Sequence, residues 1–213
     1  MLAILIQQLT LKKIKLSKQI IVGILLILIV SLSIRTFVRI SDWQDNLSLF
    51  DPKGKQSNDF ISENSYAAAL INDGQFEKAK PYVLESIKEH PFSVNLNNLA
   101  IIFAAKGDKI NADLFFQKAI TIGQNLMVYE NYANYLLYYE TPEKTLNFSQ
   151  KAIKIFPQSA GLNIVLAQAY YLQNNKTDAL KYAGKAYEIA PDQNIEEIII
   201  AIKNNKPLPL RHK

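Results

Sequence analysis

The sequence predicts an all-α chain in two parts: one N-terminal transmembrane helix, then an α-solenoid of four helix–turn–helix units closed by a C-terminal capping helix. Three observations predict it. Ile20–Ile34 is a run of 15 uncharged residues between two basic clusters. From about residue 60 onward, the chain repeats itself every 33 or 34 residues. Gly and Pro are scarce, at 7 and 8 of 213 residues, and 49% of residues are hydrophobic, which excludes disordered and collagen-like classes.

Residues 1–18 form a basic N-terminal segment. Residues 1–40 hold Lys12, Lys13, Lys15, Lys18, Arg35 and Arg39 and no acid, so this stretch alone carries +6, against a net +5 for the whole chain. The other 18 basic residues face all 19 acids, leaving −1. A nucleic-acid-binding domain needs a basic stripe on its folded part, and the near-neutral body gives none. The basic balance is therefore a membrane signal.

The transmembrane helix is placed at 19–40, with its apolar centre at Gln19–Val38. A spanning helix needs about 20 predominantly apolar residues, and Arg35 at its end can reach the interface along its aliphatic stem. A secretory signal peptide cleaved near Ser31–Ser33 is the alternative, which the apolar Met1–Leu9 before the lysines fits poorly. Met1–Leu9 is too short to span; it lies in the interface or ends an earlier membrane helix. Four lysines precede the helix and two arginines follow it, which favours a single-pass protein with cytoplasmic lysines and extracytoplasmic repeats. Residues 41–59 are a juxtamembrane junction and linker. Trp43, the only Trp, sits with Arg35 and Arg39 as a membrane-interface set. Asp51–Asp59 is polar and turn-rich.

The repeats occupy 60–193, in units at about 60–92, 93–125, 126–159 and 160–193. A large residue followed by Ala recurs at Tyr66-Ala67, Leu99-Ala100, Tyr132-Ala133 and Leu166-Ala167. Further small positions recur at Ala79, Ala112, Thr145 and Ala179, and at Ser86, Ala119, Ala152 and Ala186. Small residues let paired helices approach closely, and packed interiors tolerate added volume badly. Gly74 and Gly107 mark the turn between paired helices, where Asn174-Asn175 and Thr141-Pro142 stand in later units. Pro91, Pro157 and Pro191 end second helices, and Gly123 stops the second unit. Residues 194–206 read as the cap and 207–213 as a tail.

This spacing and pattern resemble tetratricopeptide repeats. The resemblance implies stacked helix pairs, none of which buries its apolar face alone, and a protein-interaction or scaffold role. Arg35, Arg39, Trp43, Asp45 and Leu49-Phe50 in turn resemble the junction of membrane proteins with C-terminal tetratricopeptide repeats, the transmembrane-and-tetratricopeptide proteins and their prokaryotic relatives. Their membrane part is related to lipid-linked-sugar glycosyltransferases. Ile40 departs from that pattern, where a polar residue such as Asn is expected. The resemblance implies extracytoplasmic repeats. It also implies an alternative function, the acceptor-recruiting C-terminal part of a glycosyltransferase-like enzyme whose catalytic membrane domain lies outside this chain. No catalytic residue carries over.

Cysteine is absent and there are two histidines, His90 and His212, so thiolate chemistry, disulfides and His-based metal cages are excluded. No phosphate loop or Gly-x-Ser-x-Gly turn is present, and the chain is expected to be non-catalytic, without cofactor or metal. His90, before Pro91, suits the negative end of a helix. Asp192, Glu196 and Glu197 suit the start of the cap helix for the opposite reason. What remains is a binding surface. The first helix of each unit is expected to line the concave face, with Asn64, Asn97, Glu130, Asn134, Tyr138, Gln168 and Tyr171 outward. That set holds amides and Tyr but no Lys or Arg, which argues against gripping a carboxylate. It suits an extended peptide backbone and, less well supported, sugar hydroxyls.

Overall fold

The computed structural model describes residues 18–40 and 60–208. The chain divides into two compact units, 1–49 and 50–213. Trp43, Asp45 and Leu49-Phe50 of the junction, the linker, and His212 in the tail lie outside the described residues.

The first unit contains α1, Lys18–Ile40. Its large apolar side chains from Ile20 to Val38 are 42% to 77% exposed. Two of its hydroxyls bond to its own backbone. Ser31 Oγ donates to the Ile27 carbonyl at 2.7 Å and Thr36 Oγ1 to the Leu32 carbonyl at 2.9 Å. Such i−4 bonds let polar side chains ride on an apolar helix without an orphaned donor.

The second unit is all helix among its described residues. Four pairs run α2 (Phe60–Asn72) with α3 (Phe76–Glu89), α4 (Ser93–Ala105) with α5 (Lys109–Ile122), α6 (Leu126–Tyr139) with α7 (Pro142–Ile155), and α8 (Ala160–Leu172) with α9 (Lys176–Ile189). The capping helix α10, Gln193–Lys203, closes the stack and buries Ile195, Ile198, Ala201 and Ile202.

Local chemistry sets these boundaries. Gly74 and Gly107 take φ of +73° and +74° at the turns inside the first two pairs, a conformation only Gly adopts without Cβ strain. Asn174 takes the same role in the fourth pair at φ 60°, as the best of the non-Gly residues for that region. The third pair turns differently: Thr141 caps α7 with its hydroxyl and Pro142 opens the helix. Asp108, Asn125, Ser159, Asn175 and Asp192 cap α5, α6, α8, α9 and α10 with side-chain oxygens. His90 follows the last residue of α3, and its ring stacks on Phe60 at 5.0 Å.

The twelve recurring small residues, from Ala67 to Ala186, are all 0% exposed. They are the contact points at which the paired helices close. Between them the core is filled by large side chains. Phe116, Tyr132 and Tyr135 stack at 5.2–6.1 Å, and Phe148 meets the edge of Tyr132 at 4.7 Å, which joins the second and third pairs through an aromatic seam. Tyr132 Oη donates to Asp113 Oδ1 at 2.6 Å and Tyr135 Oη to the Lys109 carbonyl at 3.0 Å. Burial, first of the causes, raises both phenol pKa values, that of Tyr135 to about 12.

The helices lie in two layers. The first helices α2, α4, α6 and α8 each touch the next first helix, while the second helices pack on their own partner and on the following first helix. The first helices α2, α4, α6 and α8 thus form one continuous layer, the inner face, and the second helices form the outer.

Candidate functional site

The inner layer differs from the outer in charge. Helices α2, α4, α6 and α8 contain no Lys or Arg and two acids, Glu63 and Glu130. Glu63 is buried. The second helices α3, α5, α7 and α9 carry the lysines, as in Lys144, Lys151 and Lys154 on α7. Lysines on the outer layer stay solvated, which the close spacing of the inner layer would not allow.

Of the seven residues expected to face outward from the first helices, three are covered. Asn97 is 0% exposed, Gln168 6% and Asn64 8%. For the two asparagines the cause is a ladder of amides between neighbouring first helices. Asn98 Nδ2 donates to Asn64 Oδ1 at 2.9 Å, Asn131 Nδ2 donates to Asn97 Oδ1 at 3.2 Å, and Asn97 Nδ2 lies 3.5 Å from Asn98 Oδ1. Each rung satisfies polar atoms that the close helix approach removes from water. A further buried amide, Asn95, accepts from the Phe92 N–H at 2.9 Å. It also donates to Ser86 Oγ at 3.1 Å and to the His90 carbonyl at 2.9 Å, tying α4 to α3. Tyr171 is partly covered as well, and its Oη donates to the Lys206 carbonyl beyond α10 at 2.9 Å.

Glu130, Asn134 and Tyr138 lie on α6 at intervals of four residues, so they share one face of the helix; Glu130 and Asn134 are half-buried and Tyr138 is exposed. Tyr138 is 41% exposed. Met127, one turn before Glu130, extends the same stripe and is also exposed. Asn134 Nδ2 donates to the Glu130 carbonyl at 2.9 Å. Glu130 Oε1 accepts from Ser159 Oγ at 2.6 Å, and that hydroxyl in turn accepts from the Leu162 N–H at 2.9 Å. Gly161 leaves room for the carboxylate: a Cβ there would lie 2.6 Å from Glu130 Oε1. The Ser159–Gly161 cradle and the exposed Met127 were not expected from sequence. The Asn64–Asn98 and Asn97–Asn131 rungs had a signal, two amides each 34 residues apart where the repeat step is 33.

Of the membrane-interface set, Arg35 lies in the last turns of α1, Arg39 lies in the same helix, and Trp43 falls outside the described residues. Among the described residues, no three His, Asp or Glu side chains converge as a metal site would require.

The geometry defines an α-solenoid whose inner layer carries amides, two acids and no cation. Residues 160–193, the fourth unit, match the tetratricopeptide repeat family model. Solved structures share the fold. The chain is similar to pilF of Pseudomonas aeruginosa, with 16% identity over 68% of either chain and a TM-score of 0.64. It is similar to MamA of Desulfovibrio magneticus RS-1, from residue 41 to its end, at 16% identity over 70% of this chain and 86% of that one, TM-score 0.58. It is also similar to the C-terminal part of a TPR repeat-containing protein from Cytophaga hutchinsonii, at 17% identity over 75% and 66%, TM-score 0.58. No curated protein sequence matches the chain.

Proposed function

We propose that this chain is a membrane-anchored, non-catalytic binding module whose inner face holds an extended segment of a protein partner outside the cytoplasm. The observation that carries the reading is the stripe Met127–Glu130–Asn134–Tyr138, exposed at both ends and half-buried between, on an inner layer without cations. Amides pair with peptide N–H and C=O groups, the exposed Tyr138 ring supplies flat apolar area at low entropic cost, and Met127, about three turns away on the same helix, adds an adaptable apolar contact. The helix α1 supports the anchor. It is apolar along Gln19–Val38, its large apolar side chains are exposed, and Ser31 and Thr36 bond to its own carbonyls, which suits hydrocarbon, where no water can satisfy a polar group.

Two experiments test it. The full chain, solubilised in mild detergent, is used to capture partners from membranes. The Asn134→Ala, Tyr138→Ala double variant is expected to lose the captured protein, while Lys151→Ala on the outer layer keeps it. Equal capture by both variants removes the groove. For the anchor, the cysteine-free sequence allows single reporters. Lys13→Cys is expected to resist a membrane-impermeant maleimide in intact cells and Lys144→Cys to react. The reverse pattern overturns the orientation, and a mature N-terminus near Ser33 overturns the anchor.

A further inference from the structure

We infer that Glu130 is a specificity determinant of this inner face and that it selects a partner segment bearing a lysine or arginine side chain. The inference rests on the groove reading and adds the chemistry of the occupant. Four observations carry it. The first helices contain no cation to neutralise Glu130, and their other acid, Glu63, is buried. Glu130 therefore sets the sign of the exposed part of this face. It stands in the middle of the stripe, between Met127 and Asn134. It is held in place: Ser159 Oγ donates to Oε1 at 2.6 Å, and Gly161 gives the carboxylate a seat that any Cβ would fill, with approaches of 2.6 Å to Oε1 and 2.8 Å to Cδ. A carboxylate fixed in one rotamer loses little further entropy when it pairs with a cation, unlike a free surface acid, whose ion pairs gain little.

The remaining carboxylate oxygen is the acceptor offered to the partner. An ammonium or guanidinium there forms a charge-assisted hydrogen bond, while an acidic or apolar residue leaves the half-buried carboxylate without compensation for the water it gives up. Discrimination comes from both terms.

The test is a positional-scanning library of immobilised decapeptides, probed with the full chain in detergent. Lys or Arg at one fixed position is expected to raise binding about fivefold over Gln, with the gain shrinking as salt is raised. Two variants keep the fold. Glu130→Gln preserves an acceptor for Ser159 and removes the charge. Gly161→Ala keeps the charge and pushes the flexible end of Glu130 out of its seat. Thermal midpoints check that both are folded. Loss of the basic preference in Glu130→Gln, with a reduced preference in Gly161→Ala, supports the inference. Peptide binding by the wild type without basic preference, or a preference unchanged by Glu130→Gln, overturns it and leaves the groove standing. No peptide binding in any register overturns the groove and this inference with it.

Discussion

Replacing Asn98 by alanine removes one rung of the amide ladder and exposes what the rung does. Asn98 is 5% exposed and Asn64 8%, and the bond between them is 2.9 Å long. The single substitution deletes the donor and leaves the Asn64 carbonyl oxygen covered and unpaired, a loss of about 1–3 kcal/mol. Asn64→Ala strands the Asn98 amide in the same way. The double variant strands neither group, so its loss is expected to fall short of the sum by about 1 kcal/mol. The position of the damage is also specified. In a one-dimensional stack each pair of helices is held by its neighbours, so weakening the α2–α4 contact lowers hydrogen-exchange protection in residues 60–89 first and leaves α8–α10 unchanged. The assay is urea unfolding of the full chain in detergent, followed by circular dichroism, with exchange read by mass spectrometry. A double variant additive to within about 0.3 kcal/mol, or a uniform loss of protection along the stack, would refute the reasoning.

Two further outcomes follow from the core. Ala100→Leu adds three carbon atoms at a fully buried contact point and is expected to cost about 1–3 kcal/mol; an unchanged thermal midpoint refutes it. The phenols of Tyr132 and Tyr135 ionise less readily in the folded chain, because burial disfavours the phenolate and Asp113 repels it. Their pKa values are raised, so the unfolded chain loses its protons first, near pH 10. The stability they contribute is full below that pH and lost as pH rises through about 12. The thermal midpoint is therefore expected to fall above pH 10, and less steeply in a Tyr132→Phe, Tyr135→Phe variant; parallel curves for variant and wild type refute the assignment.

The fold was legible wherever a rule acts within one unit. Ala at 67, 100, 133 and 167 reports a close helix approach because no larger residue fits. Gly74 and Gly107 report positive φ because no other residue reaches it cheaply. The inner face was harder to read, because it depends on contacts between units. Asn97 looks like a surface residue by type, yet Asn131 on the next first helix covers it and takes its carbonyl. Gln168 is buried as well, and Tyr171 is partly covered, with its hydroxyl bonded to the Lys206 carbonyl 35 residues away. Glu130 was identified by position alone; that Ser159 and Gly161 hold it depends on residues 29 and 31 positions away. Periodicity gives the axis of a helix and its apolar side, but not which polar side chains the next helix will cover.

The arrangement of the two layers has a mechanical consequence. In a bent beam, the line that keeps its length during flexing is the one most strongly tied along its run. Here every tie from one unit to the next ends on a first helix, through the rungs at Asn64–Asn98 and Asn97–Asn131 and through the packing of each second helix on the following first helix, while successive second helices are spaced apart. The neutral axis therefore lies close to the inner face. Flexing of the array opens and closes the lysine-bearing outer side and leaves the spacing of Glu130, Asn134 and their neighbours nearly constant. A partner meets a ruler of fixed graduations on a spine that can still bend.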